Sequence, residues 1–179
     1  MAAEVDAPET VPTVLVGLLS GLLAGLAMGV ILHVGAGAMP FIGSLYGEPT
    51  VAAGWMAHLV NSIVLGVVFA FLVRRPTLVD RVEGPAEFVI AGVAYATVVG
   101  LFTAAVLVPI AVGTLGIGEL PQPIAEPAGL GALLLALSVG AAHVVYGAVL
   151  GFTYERIQME RVPATEPRGE GESIGGSNR

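Results

Sequence analysis

The residue types best able to do chemistry in this sequence are concentrated in two short stretches that echo one another. His58-Leu59-Val60-Asn61-Ser62-Ile63-Val64-Leu65-Gly66 returns as His143-Val144-Val145-Tyr146-Gly147-Ala148-Val149-Leu150-Gly151, with His, Val, Val, Leu and Gly at matching positions. These stretches hold two of the three histidines in the chain. Residues three and four apart share a helical face, so His58, Asn61, Ser62, His143 and Tyr146 form a candidate polar core or ligand site. Two chemistries fit this set. The polar groups can hydrogen-bond across helices and fix the register of a bundle, at about 0.6 kcal/mol per contact. Alternatively, His58 and His143 can serve as axial ligands of haem b in a bundle core, with the neighbouring glycines leaving room for the macrocycle. In that case the chain is an electron-transfer subunit. A small permeation unit lined by the same groups is a third possibility. No bound cofactor is expected on the first reading.

Other residues point to simpler roles. Trp55 is expected at the external membrane interface, where aromatic belts occur. His33 is expected there too, because it lies toward the external end of its span, and its counterpart in the second half, Val108, gives it no histidine partner as a ligand. Tyr46, Glu48 and Glu119 read as solvated loop residues. With no cysteine in the chain there can be no disulfide, thiolate metal site or cysteine nucleophile. No phosphate loop, nucleophile elbow, zinc motif or carboxylate pair appears, and an enzyme is not expected.

The elements that position these groups are membrane spans. Hydrophobic residues make up 55% and charged residues 12%, and the mean hydropathy is +0.87. Soluble domains average about 25% charged residues, so this chain cannot furnish an ordinary wetted surface. A membrane span needs roughly 20 apolar residues. Four such runs are predicted, at about 13–38, 51–73, 88–112 and 129–154. A disordered tail is expected over 1–12, and a polar, mostly disordered cytoplasmic tail over 155–179. The acidic start and long apolar run differ from a signal peptide, so the first span is read as retained. The formal charge of −7 argues against nucleic acid as a partner. The acidic, lysine-free composition suggests a salt-adapted source.

All seven basic residues are arginines, and they fall on Arg74, Arg75, Arg81 and the stretch from Arg156 onward. Positive residues stay on the cytoplasmic side, so both termini are predicted to be cytoplasmic, with the Met39–Thr50 and Gly113–Ala128 connections external. The repeat extends beyond the two histidine stretches. Gly17, Gly25 and Gly43 recur 75 positions later as Gly92, Gly100 and Gly118. The histidines are 85 apart, which places a ten-residue insertion in the second external loop. The predicted fold class is therefore all-α, a polytopic four-helix bundle made of two parallel two-helix hairpin repeats. Small residues at four-residue intervals let helix backbones approach in lipid. Gly17, Gly21, Gly25, Gly29, Gly66, Gly92, Gly100, Gly147 and Gly151 are the candidate packing positions, and a glycine-rich face is a candidate homodimer contact.

The run Gly54-Trp55-Met56-Ala57-His58-Leu59-Val60-Asn61-Ser62, with His143, Tyr146, Gly147 and Gly151, resembles an uncharacterised family of small four-span membrane proteins of haloarchaeal genomes. The resemblance spans about Gly17 to Tyr154. Some members carry the label histidine kinase without a kinase domain. The resemblance implies fold and habitat and brings no active site. No ATP-binding domain is read in this sequence, and His58 and His143 lie inside predicted membrane helices. The expected role is a structural, sensory or partner-binding module of the cell membrane, in contact with lipid and with a second copy or another membrane protein.

Overall fold

The computed structural model of the chain describes residues 12–79, 81–82, 84–116 and 130–159. Among these, all regular secondary structure is helical. Helix α1 covers Thr13–Val34, α2 Met39–Ser44, α3 Val51–Val73, α4 Pro76–Val79 and α5 Pro85–Phe102. A π-helical turn over Thr103–Leu107 joins α5 to α6, Val108–Leu115, and α7 runs over Leu130–Met159. Four helical stretches are long and apolar enough to cross a membrane: α1, α3, the continuous Pro85–Gly113 stretch, and α7. The chain is thus a multi-pass membrane protein.

Local chemistry sets the ends. Thr50 caps α3 by accepting a hydrogen bond from the Ala53 N–H at 3.1 Å, which satisfies one of the orphan donors of the first turn. Pro85 opens α5 where its missing N–H is harmless. Pro109 follows the π-helical turn. A proline clashes with the carbonyl four residues back and cannot bond it, and the widened turn accommodates this. The Val108 N–H there bonds the Thr103 carbonyl, five residues earlier. Gly116, at φ +61°, ends α6 in a left-handed conformation suited to glycine.

The structure departs from the expected boundaries in several places: α1 ends at Val34, short of 38, and α5 starts at Pro85, ahead of 88. The first external connection is not simply a turn. It contains α2, whose Met39 backbone sits where a side chain on Gly54 would lie. At the other end, α7 runs through Glu155 to Met159, five residues into the stretch read as tail. Helix propensity and the contacts of Tyr154 carry the helix past the end of the apolar run. The remainder of both expected tails, and Glu119 with most of the second external connection, lie outside the described residues.

Helix α1 packs along both α3 and α7, while α5 packs along α7 and touches α3 at few points. In α1 two adjacent ridges are buried. One is Gly17, Gly21, Gly25 and Gly29; the other is Val16, Ser20, Ala24, Met28 and Leu32. Gly17 lies against Val67, and Gly29 against Trp55, so α1 and α3 run antiparallel. Gly100 lies against His143, and Gly151 against Phe88, so α5 and α7 do likewise. The core between the helices is filled by Phe69, Ala70, Ala96, Ala142, Leu150 and Tyr154.

Candidate functional site

The close approach of α1 to α3 determines where His58 can go. A Cβ on Gly21 would stand 2.6 Å from the Ser62 carbonyl oxygen, and one on Gly17 would stand 2.7 Å from Val67 Cα. With the backbones this near, the His58 ring reaches across to α1. Its Nε2 is 2.9 Å from the Gly25 carbonyl oxygen. A carbonyl can only accept, so Nε2 carries the proton and donates. The ring is buried and meets the edge of Trp55, with centroids 6.2 Å apart.

His143 occupies the corresponding place in the second pair of helices. Its ring lies directly on Gly100 of α5, 2.6 Å from where a Cβ would stand. Its Nδ1 is 2.8 Å from the Val139 carbonyl oxygen, so Nδ1 donates to its own helix one turn back. Both rings are therefore seated on glycines and held by backbone carbonyls.

The two histidine segments come together through Tyr146 and Ser62. The Tyr146 hydroxyl donates to the Ser62 carbonyl oxygen at 2.8 Å, buried between α7 and α3. Two turns further, the Tyr154 hydroxyl approaches the Ala70 carbonyl oxygen at 3.5 Å. Both contacts link residues 84 apart, so α3 and α7 run in the same direction where they touch.

Asn61 stands apart from this group. It is exposed, and its Oδ1 accepts from the Tyr46 hydroxyl at 2.9 Å. Asn61 is three residues after His58 and Ser62 four, so they turn to opposite sides of the histidine. Only Ser62 faces the bundle. Tyr46, expected to be solvated, has a partner in the span that follows it.

Trp55 is half-buried, packed on Gly29 between the rings of His33 and His58. Glycine at position 29 makes the space for it. His33 is exposed beside Trp55, at 6.1 Å between centroids.

The room that glycines were expected to leave for a macrocycle is filled. Trp55 occupies it at Gly29, Ser62 at Gly25 and His143 itself at Gly100. His58 has its Nε2 committed to Gly25. The space beside these glycines is thus taken by side chains of the protein itself. The nine candidate packing glycines all lie at close approaches inside a helix pair. A glycine-rich face for a second copy is therefore not left over from them.

Sequence reading missed Tyr95. Its hydroxyl donates to the Leu65 carbonyl oxygen at 2.9 Å, and its ring lies 5.5 Å from that of Phe69. This is the main bridge from α5 to α3. No family model, curated protein or solved structure matches the chain.

Proposed function

We propose that this protein is a non-enzymatic membrane module of two parallel two-helix hairpins, with both termini cytoplasmic, that serves as a structural and partner-binding unit. The observation that carries the reading is where the polar groups point. Ser20, His58, Tyr95, Ser138, His143 and Tyr146 each bond a backbone carbonyl of the bundle. An acid, base or ligand atom aimed at an opening is what a catalytic or permeation site requires, and these groups are engaged with carbonyls instead, His58, Tyr95 and Tyr146 between helices and Ser20 and His143 within their own.

The repeat is supported by the way each histidine reaches the neighbouring helix, His58 bonding the Gly25 carbonyl and His143 lying over Gly100, since the 75-position shift relates those two glycines. Near-equivalent residues of α3 and α7 also meet each other, as residues beside a twofold axis do. One pair of equivalents breaks the symmetry. Tyr95 stands 75 positions after Ser20. Ser20 is fully buried and small, so α1 lies flat on α7. Tyr95 at the matching position holds α5 away from α3 and spans the gap with its hydroxyl.

The consequence is an uneven bundle. Of the apolar window of each span, 44% is buried in α1 and only 11% in the Pro85–Gly113 stretch. Val98, Leu101 and Phe102 of α5, with Leu133, Leu134 and Leu137 of α7, are exposed large apolar residues. This broad face of the second hairpin is where a second copy docks. Native mass spectrometry of protein extracted in mild detergent tests it. A dimer weakened by Leu134→Ala combined with Leu137→Ala supports the reading, and a monomer under all extraction conditions refutes it.

A further inference from the structure

At the arginine-bearing end of the bundle, the tips of α3, α5 and α7, with the α4 turn, border a half-open cavity of about 370 Å³. Val73, Val82 and Phe88 give it apolar walls, and Arg74 and Glu155 both line it. The Glu155 side chain is only 8% exposed, and its Oε2 has no hydrogen-bond partner among the described residues. The ion pair it makes is weak. Arg156 Nε stands 3.7 Å away on a side chain that is 61% exposed and lies over the Phe152 ring. Tyr154 and Gln158, also in the wall, are engaged with each other at 2.7 Å. Arg74 faces the same cavity but makes no ion pair with Glu155.

A carboxylate oxygen shut away from water with no hydrogen-bond donor and only a distant, exposed cation is unfavourable. Two opposite charges on one cavity, held apart, call for a ligand that carries both signs. A lone cation would meet Arg74, and a lone anion would meet Glu155. Depth narrows the class further. The 30 residues of α7 extend about 45 Å, against a hydrocarbon core of about 30 Å. Glu155, near the helix end, therefore reaches the headgroup layer. We propose that this cavity binds a zwitterionic headgroup, with its ammonium at the Glu155 carboxylate, its phosphate at Arg74, and the apolar walls against adjoining hydrocarbon. Such a group can come from a phospholipid or from a free phosphoethanolamine. This inference does not depend on the dimer reading.

The test is lipid retention by the full chain in native mass spectrometry, with phosphatidylethanolamine and phosphatidylglycerol offered separately. The wild-type protein should hold one phosphatidylethanolamine about tenfold more tightly than phosphatidylglycerol, the equivalent of about 1.4 kcal/mol. Glu155→Gln should abolish that preference, and Arg74→Gln should weaken retention of both lipids. In lipid-free detergent, Glu155→Gln should leave the unfolding midpoint unchanged or raised, because it removes a buried charge that only the exposed Arg156 offsets. Free phosphoethanolamine that displaces the lipid assigns recognition to the headgroup alone. Retained selectivity without displacement assigns it to the whole lipid. Equal retention of the two lipids by the wild-type protein overturns the proposal, as does preference unaltered by Glu155→Gln. A clear loss of lipid-free stability in Glu155→Gln also overturns it, since the carboxylate would then be satisfied internally. Preference that appears only when Arg161, Arg168 and Arg179 are all changed to glutamine overturns it too, and assigns the cavity to the chain's own arginines.

Discussion

The glycines of α1 and α7 allow one chemical change to be made in two opposite environments. Gly21→Ala puts a methyl group 2.6 Å from the Ser62 carbonyl oxygen and 3.0 Å from Gly66 Cα. Both obstacles are backbone, so neither can swing aside as a flexible side chain could. Ordinary contact begins near 3.4 Å, so α1 and α3 must part by roughly 0.8 Å. Overpacking of this kind costs about 1–3 kcal/mol, while replacing glycine inside a helix returns about 0.5–1 kcal/mol. The net expectation is destabilisation by about 1–2 kcal/mol, a 5- to 30-fold change in the folding equilibrium. Gly140→Ala in α7 meets nothing within 4 Å, so only the propensity gain remains and the variant should be stabilised by up to about 1 kcal/mol. Equilibrium unfolding in mixed micelles can be followed by the fluorescence of Trp55, the one tryptophan of the chain. Trp55 sits on Gly29 between α1 and α3 and reports their separation. Shifts of the same sign in both variants, or stabilisation by Gly21→Ala, would refute the packing argument.

Further outcomes follow from the hydrogen bonds. Tyr146→Phe removes the bridge to the Ser62 carbonyl and should destabilise by about 0.6 kcal/mol, with an upper bound near 1.7, in the same unfolding assay. His58→Ala should be more damaging than His143→Ala. It loses a bond between helices and the Trp55 edge contact, whereas the His143 bond stays within α7. Protein extracted from membranes and supplemented with haem should show no Soret band, and a band lost in both histidine variants would restore the haem reading. Ser20→Tyr should force α1 away from its neighbours, because Ser20 is fully buried. It should lower the unfolding midpoint by more than any single hydrogen-bond deletion.

Much of this architecture is legible in the sequence because apolar length and glycine spacing are strong signals. Both bounds of α3 could be read, since Thr50 caps one end and Arg74-Arg75 marks the other. The seating of His58 and His143 in glycine-lined contacts was also legible from stripes at four-residue spacing. What escaped notice depends on the neighbour across the interface. The second ridge of α1, through Ser20 and Ala24, looks like any small-residue run until α7 is placed on it. Asn61 and Ser62 differ by one residue, about 100° around a helix, and only the packing shows which one faces inward. Tyr95 reads as a lone polar residue in a span, and its reach to Leu65 depends on a gap that no local pattern encodes. Glu155 was placed in a tail because it follows the apolar run. Its burial comes with the helix continuing past the apolar run, at the cavity that Phe88 and Val73 also line.

The central claim is that two hairpins cross the membrane in the same direction, with the arginine-bearing ends in the cytoplasm. The chain lacks cysteine, so single-cysteine variants labelled in intact cells with a membrane-impermeant maleimide give a direct readout. Glu48 and Gly113 are exposed at one end of the bundle, and Arg75 and Arg81 at the other. On this topology Glu48→Cys and Gly113→Cys label from outside, while Arg75→Cys and Arg81→Cys label only after permeabilisation. Labelling of Glu48→Cys and Gly113→Cys from opposite sides of the membrane, or of the arginine positions from outside, would contradict it.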